Sequence, residues 1–141
     1  MPRIKLTLPE KIHFETELKL RIYDMNYGAH MGNDSVLSIV HEARVRFLES
    51  IGVSERKFYG CSLLMADSAI VYKNQAFYGD RLIVKISVAE IYNYGFELFY
   101  LIKNKVSGVE VARVKTGMVC YNHVKKKIEK TPIKFSTNFN Y

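Results

Sequence analysis

The chain has 141 residues, 48% of them hydrophobic and 25% charged, and its 21 Lys and Arg against 14 Asp and Glu give a formal net charge of +7. That length suits one domain able to bury a core, so residues 1–141 are read as a single domain. No run of about eighteen apolar residues occurs, which excludes a membrane-spanning helix. The N-terminal MPRIKLTLPEK lacks the apolar segment of a secretory signal. Cys61 and Cys120 stand at no metal-ligand spacing and read as free thiols of a reducing compartment, so a cytoplasmic location with no bound metal is expected. The positive charge is compatible with an anionic partner. It is dispersed, however, and its one cluster, Lys125, Lys126 and Lys127, reads as a solvated turn.

In chain order, residues 1–13 form a leader in which Pro2 and Pro9 discourage regular pairing. From Phe14 to Tyr23, Leu18, Leu20 and Ile22 alternate with Glu17, Lys19 and Arg21, the pattern of a half-buried strand. A polar loop follows, holding Asp24, Asn26, His30, Asn33 and Asp34 around Gly28 and Gly32. Asn33 or Asp34 is a natural N-cap for a helix whose apolar positions are Val36, Leu37, Val40, Ala43, Phe47, Leu48 and Ile51. Glu42 and Arg46 stand four apart, as a surface pair does, and Gly52 supplies the stop. Val53 to Tyr59 suggests a further helical turn capped by Ser54.

After Gly60 the period changes to that of strands. Leu63 to Gln75 reads as one strand, followed by a turn at Tyr78-Gly79-Asp80. Arg81 to Tyr92 alternates Leu82, Val84, Ile86 and Val88 against Arg81, Lys85 and Ser87. Further strands are expected over Phe96–Lys103 and Val109–His123, with turns at Asn93-Tyr94-Gly95 and Ser107-Gly108, then a short terminal segment around Pro132 and Phe135. Short turns make neighbouring strands antiparallel. An antiparallel sheet with one long helix buries its apolar face on that helix, which defines an α+β class.

The order, with RIYDMNYGAHMGN before the helix and MADSAIVYKNQAFYGDRLIV after it, resembles the hotdog-fold thioesterases of the 4-hydroxybenzoyl-CoA thioesterase type. The resemblance spans about Leu18 to Tyr121. It implies a curved antiparallel sheet of five to six strands wrapped around one long central helix, homodimers or homotetramers, and a site near the helix start between subunits. It also implies hydrolysis of acyl-CoA or acyl-carrier-protein thioesters. CoA is then part of the substrate, with no separate cofactor and no nucleic-acid or membrane partner. In one branch the loop carries two aspartates separated by one residue; here Asp24-Met25-Asn26 puts Asn26 at the second position. An amide is neither a general base nor a good nucleophile. His30 and Asn33 match the His and Asn of the plant acyl-carrier-protein thioesterases, whereas Gly28 departs from that pattern.

Thioester hydrolysis needs an attacking water or carboxylate and donors for the oxyanion. Backbone N–H groups from Gly32 to Asp34, at the positive end of the helix, suit the oxyanion, with Asn26 or Asn33 as side-chain donors. Asp34 and Asp67 are the candidate carboxylates; Asp67 lies in an apolar strand, where an unpaired charge is costly. Asp24 is read as a loop brace and Glu42 as half of a helical surface pair. His30 is read as positioning water or holding the thioester oxygen. Lys73 and Arg81 are the candidates to meet CoA phosphates. Two other readings remain: a non-catalytic acyl-CoA-binding or regulatory module, and an enoyl-CoA hydratase. The hydratase pattern Asp-x-Asn-x-x-His is exceeded by one residue here, because His30 follows Asn26 by four.

Overall fold

A computed structural model describes residues 1–139. Its elements are β1 (Phe14–Lys19), a 3-10 turn (Ile22–Asp24), α1 (Ser35–Ser50), β2 (Ser62–Tyr72), β3 (Arg81–Tyr92), β4 (Gly95–Asn104), β5 (Glu110–Asn122), β6 (Lys127–Glu129) and α2 (Ile133–Phe139). The strands form a six-stranded antiparallel sheet in the order β1-β3-β4-β5-β2, with β6 paired to β5. Among the described residues no helix is long and apolar enough to cross a membrane.

One face of the sheet buries Leu82, Val84, Ile86, Leu98, Tyr100, Ile102, Val114 and Met118 in a single cluster with Val36, Ile39, Val40, Ala43 and Phe47 of α1. Each such aliphatic or aromatic side chain contributes roughly 1.5–3 kcal/mol. The period-two pattern of the strands and the helical period of α1 therefore meet in one core, the expected α+β arrangement. The other end of the core is filled by α2, whose Phe135 and Phe139 are buried; no regular element was expected there from the sequence.

Several boundaries differ from expectation. The first strand ends at Lys19 because the Asp24 carboxylate accepts the Arg21 N–H at 2.7 Å and folds the chain into the 3-10 turn. Leu20 stays buried at 1% exposure, but Ile22 turns out to 66%. β2 stops at Tyr72, where the Lys73 and Asn74 N–H groups both turn to the Val111 carbonyl. Residues 53–59 are a loop, not a helical turn; the Ser54 hydroxyl accepts the Lys57 N–H at 3.0 Å, and Phe58 bridges to Cys61. Ser87, expected on the polar face, is buried beside the leader, which His13 ties to the Ile86 carbonyl and the Val88 N–H. Beyond that tie the leader reaches the far side of the sheet, where the Leu6 carbonyl accepts from Arg113 and Arg3 donates to the Tyr72 carbonyl.

Candidate active site

The loop between the 3-10 turn and α1 is organised by Asn26. Its Oδ1 accepts the N–H groups of Gly28 at 2.8 Å and His30 at 3.3 Å, and its own N–H donates to the His30 carbonyl at 2.8 Å. Because Oδ1 is spent as an acceptor, the amide is held in one orientation. Its Nδ2 has no protein acceptor among the described residues and remains available as a donor. The loop is anchored from below by Met31 N–H to the Ala76 carbonyl at 2.7 Å and Gly32 N–H to the Asp24 carbonyl at 3.0 Å.

His30 Nδ1 lies 3.2 Å from the Met31 carbonyl oxygen. A carbonyl only accepts, so Nδ1 carries the proton and a neutral ring leaves Nε2 with a free lone pair. His30 lines a cleft of about 180 Å³ with Asn33, Val36, Tyr72 and Lys73. Tyr72 closes one wall by donating its hydroxyl to the Asn33 carbonyl at 3.1 Å.

At the helix start Asp34 occupies the N-cap position, yet its side chain makes no cap bond. It folds back over Gly32 instead: a Cβ placed on Gly32 would stand 2.6 Å from Asp34 Oδ1 and 3.4 Å from the Asn26 Cβ. Glycine here is a space requirement. Among the described residues the backbone N–H groups of Asn33 and Asp34 donate to no protein acceptor, whereas the Ser35 N–H that opens α1 donates to the Gly32 carbonyl at 3.1 Å. Free N–H groups at the positive end of a helix suit a developing oxyanion.

Asn26, His30, Gly32, Asn33 and Asp34 thus converge on one loop, with Lys73 in the same cleft as His30 and Asn33. Asp67 and Arg81 do not join them. Asp67 pairs in register with Gly117, on the sheet face away from α1, where its carboxylate takes Lys115 Nζ at 2.8 Å and the Gly117 N–H at 3.0 Å. The Lys115 ammonium holds this carboxyl below its ordinary range. The bulge between Met65 and Asp67, which strand alternation alone does not reveal, sets that side. Arg81 opens β3 opposite Lys19 and lies 3.8 Å from Glu17, on the β1 side of the sheet.

Asp24 is 4% exposed and braces the loop through Arg21. Glu42 forms the expected helical pair with Arg46 at 2.9 Å, and Arg46 continues to the Glu17 carbonyl. Sequence reasoning missed a polar chain that runs from the exposed His41 through Glu55 to the buried Arg44, Tyr100 and Thr116. His41 Nε2 lies 2.9 Å from Glu55 Oε1, Arg44 reaches the same carboxylate at 3.4 Å and donates to the Tyr100 hydroxyl at 3.2 Å, and Tyr100 meets Thr116 at 2.9 Å. Burial pushes the Tyr100 phenol up. The available signal was Arg44 itself, four residues from Val40 and from Leu48 on the apolar stripe of α1.

A long helix against one face of an antiparallel sheet, its start opened by a polar glycine loop, is the hotdog arrangement. The chain belongs to the thioesterase-like superfamily, whose profile matches residues 20–139. Among solved structures it is similar to a 1,4-dihydroxy-2-naphthoyl-CoA thioesterase from Synechocystis, with TM-score 0.81 and 24% identity over 89% of this chain and 94% of that one. It is also similar to the probable thioesterase YbaW from Escherichia coli, with TM-score 0.78 and 20% identity over 89% and 95%. A putative thioesterase from Pseudomonas aeruginosa gives TM-score 0.82 at 14% identity over 91% and 98%. At these identities the likeness is one of fold. No curated protein matches the sequence.

Proposed function

We propose that the protein is a cytoplasmic acyl thioesterase that works as a homodimer, or as a tetramer of paired dimers, on substrates carried by CoA or an acyl carrier protein. The reading rests on His30, whose ring is fixed by the Met31 carbonyl and whose Nε2 lone pair is left free beside the helix start. His30 Nε2 takes a proton from a water as the water oxygen bonds to the thioester carbon. The carbonyl oxygen becomes an oxyanion held by Asn26 Nδ2 and the free N–H groups of Asn33 and Asp34; removing one such donor typically costs about 3–4 kcal/mol. The carbon–sulfur bond then breaks and the thiolate leaves, taking the proton from His30. Asp34, which among the described residues has neither a cap bond nor an ion pair, steadies the imidazolium. Lys73 meets the phosphate of the pantetheine arm, a group that CoA and acyl carrier proteins share.

The dimer is supported by β2. Among the described residues this 11-residue strand has β5 as its only strand partner; on its outer edge the Leu63 N–H meets the Glu55 carbonyl and the Tyr72 carbonyl accepts from Arg3, while the stretch between them, with Leu64 and Met65 at least 41% exposed, has no strand beside it. A long bare edge of this kind is satisfied by two-fold pairing with a second copy.

The test is free-thiol release over a panel of acyl-CoA and acyl-carrier-protein esters, with sedimentation of the same sample. Turnover by a dimer or tetramer is expected. Binding of CoA without thiol release would point to a regulatory module, and a change in enoyl-CoA absorbance without thiol release would point to a hydratase. A stable monomer would remove the two-fold site.

A further inference from the structure

The two ends of β2 carry different clefts. At its C-terminal end Tyr72 and Lys73 line the His30 cleft. At its start Ser62 lines a cleft of about 440 Å³ with Arg56, Lys57, Cys61 and His123. No carboxylate lines that second cleft. Among the described residues neither the Arg56 nor the Lys57 side chain pairs with an acid, and the neighbouring Glu55 is taken by His41 and Arg44. Two exposed cations with no acid of their own suit an anion. The two clefts share no lining residue. An 11-residue strand runs for roughly 33 Å, so within one chain Arg56 and Lys73 do not meet on one ligand.

The β2 edge says how a second copy would join it. The Leu63 N–H is held by the Glu55 carbonyl at 2.6 Å and the Tyr72 carbonyl by Arg3 at 2.8 Å, which leaves residues 64–71 open to pairing. Antiparallel pairing about a two-fold axis at the middle of that stretch sets Leu63 of one copy beside Tyr72 of the other. Glu55 and Arg56 lie against the β2 start on this outer edge, the Arg56 carbonyl accepting the Ser62 hydroxyl at 3.1 Å. Neighbouring strands are about 4.8 Å apart, so the Arg56 backbone would stand roughly 5–10 Å from Tyr72 and Lys73 of the second copy. The strand end with the His30 cleft is thereby brought to the strand start with the cations.

We infer that Arg56, with Lys57 beside it, completes the His30 site of the second copy by binding the phosphate of the pantetheine arm together with that copy's Lys73. Lys73 acts as a point charge and Arg56 with a planar fork that matches phosphate oxygens. Arg56 holds the arm and takes no part in bond making. The inference rests on the thioesterase reading above and adds the residues that a second copy supplies.

The experiment uses doubly tagged, purified heterodimers and the CoA ester turned over fastest in the panel above. Arg56→Glu in both chains should raise KM tenfold or more with kcat within about twofold, and Arg56→Lys should recover most of the loss. An unchanged KM would overturn the proposal. A His30→Gln chain paired with an Arg56→Glu chain keeps one intact site only if Arg56 acts across the interface, and should show about half the wild-type kcat/KM. Activity no higher than that of the Arg56→Glu homodimer would overturn the proposal. A chain carrying both substitutions, paired with a wild-type chain, should do no better than that homodimer; half the wild-type activity there would also overturn it. Calorimetric titration with 4′-phosphopantetheine decides the same point without turnover. A Lys73→Glu chain paired with an Arg56→Glu chain should bind one molecule per dimer at wild-type affinity, whereas each homodimer binds at least tenfold more weakly. Equally weak binding by this heterodimer, no binding by the wild-type protein, or a stable monomer would overturn the shared site. That binding pattern with hydrolysis of no ester would remove the thioesterase reading and uphold the shared site.

Discussion

At its C-terminal end α1 is closed by backbone and side chains together. Val53 N–H returns to the Leu48 carbonyl and Gly52 N–H to the Glu49 carbonyl, both at 3.0 Å, with Gly52 at φ 79°. Around that end Phe47, Phe58, Phe96, Phe135 and Phe139 stack with ring centroids 4.4–5.8 Å apart. At its N-terminal end the same helix is left unfinished. Asp34 does not cap, the N–H groups of Asn33 and Asp34 are free among the described residues, and His30 faces a cleft. One end is built as a helix terminus is built for stability, and the other keeps its donors for something outside the chain. Under the proposed function, local disagreement with the rules of helix capping marks the chemistry.

The sharpest way to break the contrast is to remove the seal. Phe135→Ala should cost about 3–5 kcal/mol of stability, read by denaturant unfolding, while kcat of the remaining folded enzyme stays near wild type. Gly32→Ala should do the reverse. Its Cβ pushes the Asp34 carboxylate aside, so kcat/KM falls on the order of tenfold with little change in unfolding midpoint. Gly52→Ala meets nothing in space but is strained at positive φ, and should cost about 1 kcal/mol with activity intact.

A smaller effect concerns pH. Burial, with Lys11 adding repulsion, lowers the His13 pKa, and its Nδ1 accepts the Val88 N–H. The unfolded chain therefore binds the proton more readily than the folded one. Stability is complete above the ordinary histidine value of about 6.5 and is lost as pH falls through the lowered folded value. A pH series of thermal melts should show that loss, and His13→Gln should flatten it. Smallest of all, Asp67→Asn should change stability by at most about 1 kcal/mol, less in high salt, and leave turnover unchanged. Its contribution, set by a lowered pKa, is present at neutral pH and disappears only as pH drops below the carboxylate range.

The legible parts of this chain are those that depend on period. The alternation of β3 predicted its limits at Arg81 and Tyr92, and the stripe from Val36 to Leu48 predicted α1. The glycine loop was readable too, since Asn26, His30, Gly32, Asn33 and Asp34 are close in sequence as well as in space. What escaped depended on partners distant in the chain. The face of Asp67 is decided by a bulge against Gly117, and the burial of Arg44 by Tyr100 and Glu55. The short α2 is held by aromatic packing that its own seven residues do not announce.

The central claim is that the helix start is a working site with His30 as its base. It is tested most directly by kcat for thioester hydrolysis in His30→Gln beside the wild-type protein. Loss of roughly 10²–10⁴-fold with an unchanged unfolding midpoint is expected, with Asp34→Asn losing less. Turnover within twofold of wild type in His30→Gln would contradict the account.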